Sequence, residues 1–382
     1  MTIMILNVND LLDLKSGGGT AERTFQMSRF LVRQDASCEV LTINSGHLDE
    51  QRLEALKPAR VSVLPCLFKR FKIPSWRPGC IWRAVEEADI VHLMGHWSVL
   101  NAIVYLAVRR AGKPYVVCPA GALPIFGRSR WLKQSYNLII GNAIIRNASG
   151  WIAVTEGEFP QFEDYGVPRS RVTVIPNGVS ADDFPFVDIA EFRNRFGLPN
   201  APTILFMGRL NPIKGPDLLL QAFLQARHVF PGYHLVFAGP DGGMLAALRE
   251  SAERSGIGGM VHFIGYVAGV DKSAAYRMAD LLVVPSRHEA MSIVAIEAGI
   301  CGVPVLLTDQ CGFGEIRTID ERLEVPVSVI GIADGLISLL ADPSVLEKLS
   351  SSWASFVDRK YSWIGLAPEY LKLYQRILSG LA

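Results

Sequence analysis

Residues 280–299 read DLLVVPSRHEAMSIVAIEAG and contain the two side chains from which the interpretation starts, Glu289 and Glu297. The apolar run ending at Val284 predicts a buried strand and a loop, and the apolar positions after Met291 have helical spacing. Glu289 is therefore expected just outside a helix N-terminus, and Glu297 about two turns inside it. Such a terminus attracts anions, because its first amides are unpaired and its dipole end is positive. Two carboxylates beside an anion site predict a ligand with phosphates and hydroxyls, such as a nucleotide-sugar.

Each glutamate also has a purely structural interpretation. Glu289 could simply neighbour a helix N-cap, and Glu297 could be a solvated helical residue. The residues after Glu297 are mainly small and apolar as far as Val305, which indicates tight packing and disfavours a solvated charge there.

Strand-like and helical patterns alternate along the whole chain. The apolar run 3–8 precedes a glycine-rich loop and a helical pattern from about Ala21 to Arg33, and the run 203–207 precedes a helical pattern over 216–229. This alternation in both halves predicts an α/β fold with two doubly wound, Rossmann-like parallel sheets. Such sheets bind ligands at the carboxyl ends of their strands, so two of them facing each other would form a deep cleft with two half-sites.

The length of 382 residues favours two domains, and Pro176-Asn177-Gly178 is a strong turn signal between them. We therefore place an N-terminal domain at residues 1–179, a C-terminal domain at 180–360 and a final segment at 361–382. Residues 1–180 carry 21 Lys and Arg against 15 Asp and Glu, whereas residues 181–382 carry 17 against 22. The net charge of +1 thus conceals a basic first half.

The loop after the strand-like run 203–207 reads GRLNPIKG and supplies two cations, Arg209 and Lys214. At the carboxyl end of a strand these cations would meet a diphosphate, with Arg gripping it in a bidentate way and Lys acting as a point charge. Taken alone, two solvated loop charges would be the simpler interpretation. The flanking glycines and the glutamate pair together favour the diphosphate site.

Other loops carry weaker signals. The segment 16–22 (SGGGTAE) lets backbone amides approach an anion or a sugar, although it lacks the dinucleotide fingerprint and a plain tight loop fits equally well. The segment 312–316 could shape a sugar site or be a simple loop. His96 stands alone at a predicted strand end, where a histidine is more often structural.

Six cysteines show no Cys-x-x-Cys pair and no nearby histidine at metal spacing, which favours a reducing compartment without structural zinc. Cys38, Cys118 and Cys301 adjoin apolar runs and are expected to be small core residues. The apolar N-terminus lacks a basic lead and predicts a first strand rather than a signal peptide. No apolar run reaches about 18 residues, so no transmembrane helix is expected.

Together these segments resemble glycosyltransferase family 4, whose members are retaining enzymes with the GT-B fold. The resemblance covers nearly the whole chain and rests on residues 208–215, 176–179 and 289–305, with support from the glycine loop and from 361–363. It implies an N-terminal domain that binds the acceptor and a C-terminal domain that binds the nucleotide-sugar. It also implies that a last helix, at about 365–378, crosses back to the first domain.

The resemblance also implies roles for single residues. Arg209 and Lys214 would hold the donor diphosphate, Glu297 would accept from the ribose hydroxyls, and Glu289 would contact the transferred sugar near its reacting carbon. Glu289, Arg209 and Lys214 are therefore the candidate catalytic residues. The other expected donor contacts are backbone groups, at Met291, Ser292, Ile293, Gly18 and Gly19.

One position departs from the family pattern. Many relatives carry His-Gly after the strand that corresponds to residues 115–118, with the His near the donor sugar, whereas this chain has Ala120-Gly121. The Ala120 side chain cannot donate a hydrogen bond. We hypothesise that the transferred sugar lacks the usual contact at O6, or that another group, with His96 as the candidate, supplies it. His96, Ala120 and Gly121 are accordingly assigned to the acceptor side.

Cleavage of the anomeric C–O bond would leave a nucleoside diphosphate and an oxocarbenium-like sugar. The sequence contains no Asp-x-Asp metal pair, so we expect cations and a helix N-terminus to stabilise the leaving group, without an essential metal or other cofactor. No second carboxylate is an obvious nucleophile. This favours front-face retention, with the departing phosphate as the base.

The basic first half suggests a partner surface. In residues 68–73 (FKRFKI) three cations interleave with two phenylalanines and an isoleucine, and further cations surround Trp76, Trp82 and Trp131. Aromatic and basic residues together favour peripheral contact with an anionic membrane, although a solvated basic face is the alternative. We expect a cytoplasmic enzyme that contacts the inner face of the membrane. It would act on a glycan or lipid-linked acceptor in cell-surface polysaccharide or lipopolysaccharide synthesis.

Three other functions are compatible with parts of the sequence. A nucleotide-sugar epimerase on the same fold would need a general base near C2 of the sugar, and no clear candidate is present. A non-catalytic nucleotide-sugar-binding scaffold is disfavoured, because both cations and both glutamates are present. Nucleic-acid binding is weaker still, since the basic face matches no known module.

Overall fold

The computed structural model describes residues 2–44, 50–75, 77–125 and 129–380, so Trp76 of the basic half lies outside the described residues. The chain divides into unit 1, which contains Met1–Gly178 and Trp363–Ala382, and unit 2, which contains Val179–Ser362. The chain therefore leaves unit 1 after Gly178 and returns to it at Trp363. The turn signal and the family resemblance place these points after residues 179 and 360.

Each unit is built on one sheet. The strands in chain order are β1 (Met4–Val8), β2 (Ser37–Asn44), β3 (Arg60–Phe68), β4 (Ile73–Pro74), β5 (Ile90–Met94), β6 (Tyr115–Cys118), β7 (Gly150–Ala153) and β8 (Val172–Val174) in unit 1, and β9 (Thr203–Met207), β10 (His234–Ala238), β11 (Val261–Gly265), β12 (Leu281–Val284), β13 (Val305–Thr308) and β14 (Glu324–Val325) in unit 2. Strands β5, β6, β7 and β12 are buried along their whole length, as parallel strands covered by helices on both faces must be.

The strand orders are β4-β3-β2-β1-β5-β6-β7-β8 in unit 1 and β11-β10-β9-β12-β13-β14 in unit 2. All pairings between these strands are parallel except the antiparallel pair β3–β4. In each sheet the order reverses beside the first strand, between β1 and β5 and between β9 and β12. Ligands of doubly wound sheets bind at this switch point, outside the carboxyl ends of the strands.

Helices connect the strands in both units. In chain order they are α1 (Leu14–Val32), α2 (Glu50–Glu54), α3 (Pro78–Glu87), α4 (Val99–Ala111), α5 (Arg130–Tyr136), α6 (Asn142–Arg146) and α7 (Phe159–Asp164) in unit 1, α8 (Ile189–Phe196), α9 (Pro216–Ala226), α10 (Leu245–Arg254), α11 (Val270–Arg277), α12 (Ile293–Ile300), α13 (Val329–Leu340) and α14 (Pro343–Tyr361) in unit 2, and α15 (Trp363–Leu378) in unit 1. A π-helical turn, Asn137–Gly141, joins α5 to α6.

The predicted α/β architecture with two doubly wound parallel sheets is confirmed. Apolar runs located β1, β6, β9 and β12, and β6 and β9 have the predicted bounds. The predicted helix over 216–229 ends earlier, at Ala226, and the last helix begins at Trp363 rather than near residue 365. Such shifts are typical at helix ends, where backbone groups lack intrahelical partners.

Two sequence interpretations need correction. The loop expected at 16–19 is part of α1, which starts at Leu14 and is interrupted at Gly18, where φ is 60° and ψ is −145°. The segment 60–68 forms strand β3, which the sequence analysis missed because Pro65 interrupts the apolar pattern. Four of its nine residues are half-buried and four are exposed, so it lacks a clean strand signal.

The remaining expectations concern the cysteines and membrane-spanning helices. All six cysteines are unpaired thiols, and the expectation that Cys38, Cys118 and Cys301 are core residues is confirmed. No single helix among the described residues is long and apolar enough to cross a membrane. The segments Val329–Leu340 and Ser344–Tyr361 meet that test only as a pair, bent by 103°.

The guanidinium of Arg23 organises one end of unit 1. Arg23 lies on α1 and is 1% exposed. Its Nη1 donates to Asn177 Oδ1 at 2.8 Å, and its Nη2 donates to the Ile175 carbonyl at 2.6 Å. Its cation also lies 5.7 Å from the ring centre of Tyr370 on α15. One side chain therefore joins the first helix, the segment where the chain leaves unit 1, and the helix that returns.

We predict that Arg23→Leu lowers the free energy of unfolding by about 3 kcal/mol or more, because Asn177 Oδ1 and the Ile175 carbonyl would stay buried without a donor. Urea denaturation followed by tryptophan fluorescence measures the effect. Arg33→Leu, at an exposed position just after the same helix, is the control and is expected to cost less than about 1 kcal/mol. Equal losses of unfolding free energy in the two variants would contradict the proposal that Arg23 links the three segments.

Candidate functional site

The predicted donor residues of unit 2 lie around its topological switch point. Arg209 and Lys214 follow β9, and Ser286 and Glu289 follow the neighbouring strand β12. Both strands are parallel, so their carboxyl ends lie at the same edge of the sheet. The two separate sequence motifs are therefore brought to one place by strand pairing.

The loop that carries Lys214 is held in shape by its neighbours. Residues Pro212–Lys214 form a 3₁₀ turn, and the Asn211 side chain caps it by accepting from the Lys214 amide at 3.0 Å. Gly215 follows with φ of 66°, and a Cβ at this position would lie 2.1 Å from the Pro285 carbonyl oxygen. Only glycine allows the lysine loop to approach the end of β12 so closely.

The two motifs meet in an ion pair. Lys214 Nζ lies 2.9 Å from Glu289 Oε1, and the Glu289 side chain is 9% exposed. The Ser286 hydroxyl donates to the same carboxylate oxygen. The Glu289 amide donates to the Gln310 carbonyl at 2.8 Å, which joins this loop to the segment after β13. Glu289 and Lys214, predicted to act on the same donor, thus contact each other directly.

The loop 312–316 packs against the loop that carries Glu289. Gly312 has φ of 74°, and a Cβ there would lie 1.9 Å from the Ala290 carbonyl oxygen. The glycine therefore allows the loop to pack against the backbone between Glu289 and α12. This packing shapes the loop of Glu289.

The start of α12 differs from the prediction at one residue. The Ser292 amide donates to the Cys311 carbonyl at 3.2 Å, so in this structure it is engaged and does not face an anion. The Ser292 hydroxyl is buried and has no hydrogen-bond partner among the described residues. Met291 is also buried, at 6% exposure. Ile293 occupies the first position of α12, where a backbone amide lacks an intrahelical partner.

Glu297 lies inside α12 and is 4% exposed, which removes the interpretation as a solvated residue. Lys272 Nζ contacts Glu297 Oε1 at 2.5 Å, and the Tyr276 hydroxyl donates to Oε2 at 2.6 Å. Burial first, and then the adjacent carboxylate, raise the pKa of Tyr276 well above its ordinary value, so its hydroxyl remains a donor. A carboxylate accepts about four hydrogen bonds, so these two contacts leave acceptor capacity for a diol.

Sequence reasoning missed Lys272 and Tyr276. Both lie on α11, four residues apart, so they project from one face of that helix. That spacing was readable in the sequence. Nothing in the sequence indicated that this face packs on Glu297, because the contact joins residues 21 and 25 positions apart.

Arg209 is exposed in the loop after β9. A Cβ at Gly242 would lie 2.9 Å from Arg209 Cγ, so the loop after β10 packs closely on the stem of the arginine. Asp241 in that loop accepts from the amides of residues 243, 244 and 245 at 2.7–3.1 Å, which fixes the loop shape. These hydrogen bonds lower the pKa of Asp241, and the one from the Leu245 amide has the largest effect.

The predicted residues of unit 1 follow β1, β5 and β6. Gly18 and Gly19 are exposed at the break in α1. Ala120 has φ of 50° and Gly121 has φ of 81°, so both are left-handed, and this is strained for the alanine. The Glu158 carboxylate, 1% exposed, accepts from the Gly121 amide and from the Val154 amide. Glu158 thus holds the Ala120–Gly121 turn, and sequence reasoning missed it.

His96 is 2% exposed, which is the structural position that a lone histidine most often takes. Its Nε2 lies 2.8 Å from Asn137 Oδ1, and its ring packs edge-on against Trp97, Tyr136 and Tyr165. Burial lowers the pKa of His96 to about 4, so it is neutral at pH 7. A direct contact between His96 and a sugar would need a rearrangement of this cluster.

Among the described residues, no group of three or more His, Cys, Asp and Glu side chains forms a metal-ligand set. The site of unit 2 instead combines two lysine–glutamate pairs, a nearby arginine and a helix N-terminus. Such a set can neutralise phosphates and accept from hydroxyls.

Comparison with known proteins agrees with this chemistry. Residues 17–183 match the family model described as Glycosyltransferase Family 4, and residues 188–354 match the one described as Glycosyl transferases group 1. The D-inositol 3-phosphate glycosyltransferase of Thermobispora bispora is 34% identical over 321 residues, which are 76% of this chain and 71% of that protein. The class of the protein is therefore that of the glycosyltransferases. Within this class, the chain belongs to glycosyltransferase family 4.

Solved structures share the fold at low sequence identity. Sucrose-phosphate synthase of Thermosynechococcus elongatus has a TM-score of 0.78 at 20% identity, covering 99% of this chain and 100% of that one. HepE of Anabaena, solved with UDP and glucose, has a TM-score of 0.76 at 19% identity, covering 98% and 99%. WaaG, described as a glycosyltransferase of lipopolysaccharide biosynthesis, has a TM-score of 0.65 at 18% identity, covering 97% and 99%. The expected GT-B fold is confirmed.

We predict that unit 1 loses stability as the pH falls from 6.5 towards 4. Burial lowers the pKa of His96 to about 4 and that of His92 to about 3, below the 6.5 of an unfolded histidine. The unfolded chain therefore binds protons that the folded chain excludes, and stability is complete only above pH 6.5. Each histidine should contribute about 1.4 kcal/mol of loss per pH unit in that window.

Urea denaturation at pH 7.5, 6.0 and 5.0 measures this dependence. His92→Leu should reduce the slope between pH 6.0 and 5.0 by about 1.4 kcal/mol per pH unit, whatever its effect on stability at pH 7.5. His228→Gln, at an exposed position, should leave the slope unchanged. A slope that His92→Leu leaves unchanged would contradict the buried neutral state of His92.

Proposed function

We propose that this glycosyltransferase moves a sugar, with retention of anomeric configuration, from a nucleoside diphosphate sugar to a glycan or lipid-linked acceptor. The observation that carries the proposal is the Lys214–Glu289 ion pair at the carboxyl ends of adjacent strands, with Arg209 in the same loop. This arrangement combines cations for a diphosphate with a carboxylate for the sugar.

A nucleotide-sugar donor explains the chemistry of both lysine–glutamate pairs. A diphosphate carries acceptor oxygens and negative charge, which Arg209 and Lys214 would bind in charge-assisted hydrogen bonds. Glu297, held by Lys272 and Tyr276, would accept from the ribose diol. The HepE structure with UDP and glucose, which shares the fold, supports this class of donor.

The reaction breaks the bond between the anomeric carbon and the phosphate oxygen. The electron pair of that bond goes to the departing nucleoside diphosphate, and the sugar develops oxocarbenium character. The acceptor hydroxyl attacks the anomeric carbon from the same face, and its proton passes to the departing phosphate oxygen. Lys214 and Arg209 would stabilise the charge on the leaving group, and Glu289 would orient the transferred sugar. No metal or other cofactor takes part in this proposal.

The acceptor class is proposed from two features. The basic first half and its exposed apolar residues suit an acceptor carried at an anionic membrane, and WaaG links the shared fold to lipopolysaccharide synthesis. We therefore place the reaction in cell-surface polysaccharide or lipopolysaccharide synthesis, at the cytoplasmic face of the membrane. The relatives named for D-inositol 3-phosphate make a small phosphorylated cyclitol the competing acceptor.

We predict that Arg209→Ala and Lys214→Ala each lower kcat with the nucleotide-sugar by about 10²–10³-fold, because each removes a preorganised charge from the leaving group. Initial rates of nucleotide release measure the effect. Arg254→Ala, which removes an exposed arginine of the same unit, should retain wild-type activity. Near-normal rates in both site variants would refute the diphosphate assignment.

A panel of nucleotide-sugars, tested first by thermal shift and then with and without acceptor, identifies the donor. Transfer requires an acceptor, whereas conversion of the donor to its epimer without one would favour the epimerase alternative. Binding without turnover or hydrolysis would favour a non-catalytic scaffold. The panel should include one sugar with its 6-deoxy analogue. Equal turnover of this pair supports a missing O6 contact at Ala120, and a strict need for the 6-hydroxyl refutes it.

The surface of the β3–β4 hairpin supports membrane contact. Leu67, Phe68 and Phe71 are 68%, 49% and 48% exposed, and the two phenylalanine rings stack with centres 5.6 Å apart. Lys69 and Arg70 are exposed between them. Exposed aromatic residues beside cations match the needs of an interface with anionic lipid.

We predict that the protein co-sediments with vesicles containing phosphatidylserine at low salt. Combined Phe68→Ser and Phe71→Ser should weaken binding at all salt concentrations, because apolar insertion is not screened, whereas Lys69→Gln with Arg70→Gln should remove the salt-dependent part. Phe186→Ser, which changes an even more exposed phenylalanine of unit 2, is the control. No co-sedimentation of the wild-type protein would remove the membrane from the proposal.

A further inference from the structure

Unit 1 contains a cavity of about 340 Å³ that none of the predicted site residues lines. It lies between the segment after β6, the π-helical turn and α6, and helix α7. Residues 123–125 form an apolar wall, and the opposite side is polar. Ligand pockets span roughly 300–1,000 Å³, so this volume suits one sugar ring rather than an oligosaccharide.

The polar side consists of neutral amides and a phenol, with one acidic group. Asn137, Asn142 and Gln161 supply carboxamides, Tyr165 supplies a hydroxyl, and Asp164 supplies a carboxylate. No Lys or Arg lies among the described lining residues. Carboxamides both donate and accept, which matches sugar hydroxyls, whereas a phosphate only accepts and requires cations. The lining therefore favours a neutral ligand.

Hydrogen bonds with neighbouring residues hold two of these groups, Asn137 and Tyr165, in position. The Asn137 amide nitrogen donates to the Tyr165 hydroxyl at 2.6 Å, and that hydroxyl donates to the Leu123 carbonyl at 3.2 Å. Asn137 Oδ1 is bound in turn to the ring of His96. His96 thus supports the cavity wall rather than facing a ligand.

The π-helical turn makes this arrangement possible. A Cβ at Gly141 would lie 2.4 Å from Asn137 Oδ1, so the glycine provides the space that the Asn137 amide occupies. π-helical turns inside helices occur frequently at functional sites. This one brings Asn137 and Asn142 to the same cavity.

One lining residue lacks a partner. Gln161 Oε1 is buried, and no donor among the described residues reaches it. A buried acceptor without a donor is costly, and the hydroxyl of a ligand would satisfy it.

We propose that this cavity binds a neutral hexose unit of the acceptor glycan. The proposal rests on transfer to a glycan, and it separates this chain from relatives named for a phosphorylated cyclitol. The apolar wall at residues 123–125 would pack against the C–H face of the sugar ring, while the amides bind its hydroxyls.

Saturation-transfer NMR and calorimetry with methyl glucoside, galactoside and mannoside, beside the matching hexose 6-phosphates, test the proposal. At least one neutral glycoside should bind, and its 6-phosphate should bind about tenfold more weakly or worse. Gln161→Leu and Asn142→Leu, on different helices, should each raise the Kd about tenfold. Gln134→Leu, at an exposed position of α5 outside the cavity, should leave the Kd unchanged.

Melting temperature and donor hydrolysis, measured on the same variants, separate the possible failures. Three results would overturn the inference: no binding of any neutral glycoside, tighter binding of the 6-phosphates, or an unchanged Kd in both folded variants. If the protein still hydrolyses the donor, the proposed function remains intact in each of these cases. Absence of donor turnover in the wild-type protein would overturn the proposed function. The cavity site would still be supported in that case if a folded variant, Gln161→Leu or Asn142→Leu, loses glycoside binding.

Discussion

The buried guanidinium of Arg23 is the constraint on which the architecture of unit 1 depends. It satisfies Asn177 and the Ile175 carbonyl where the chain leaves the unit, and it lies against Tyr370 on the returning helix. A Cβ at Gly178 would lie 2.8 Å from the ring of Trp363, so exit and return pack side by side. Because a buried cation without hydrogen bonds is very unfavourable, these partners must assemble together. A chain that leaves and re-enters one domain needs such a cooperative tie.

Unit 2 depends on charge neutralisation of a different kind. Glu289 and Glu297 are nearly buried, and each is paired with a lysine from a separate segment. Lys214 pairs with Glu289, whose carboxylate also accepts a hydrogen bond from the Ser286 hydroxyl. In the proposed function a diphosphate would compete with Glu289 for the same cation, so donor binding would loosen the carboxylate proposed to contact the sugar. Glu297 differs, because Lys272 and Tyr276 hold both of its oxygens and position it for accepting hydrogen bonds.

The sequence predicted more of the fold than of the site. Buried parallel strands are recognisable because they must be apolar on both faces, and β6 and β9 were predicted with their full bounds. Strand β3 was missed, since a half-buried strand interrupted by Pro65 has no such pattern. Spacing selected Glu289, Glu297, Arg209 and Lys214 as candidates, but it did not indicate that the Ser292 amide binds the Cys311 carbonyl. That contact depends on how a loop after β13 folds over α12.

The sequence by itself determined the alternation of strands and helices, the two-sheet architecture and the residue types available for a phosphate-and-hydroxyl site. These features are local, because they follow from periodicity and from turn residues. Tertiary structure decided which charges meet. It paired Lys214 with Glu289 and Lys272 with Glu297, buried His96 behind Asn137, and shaped a cavity lined mainly by carboxamides within a basic half. Burial and pairing depend on packing between segments far apart in the chain, and no local pattern in the sequence records that packing.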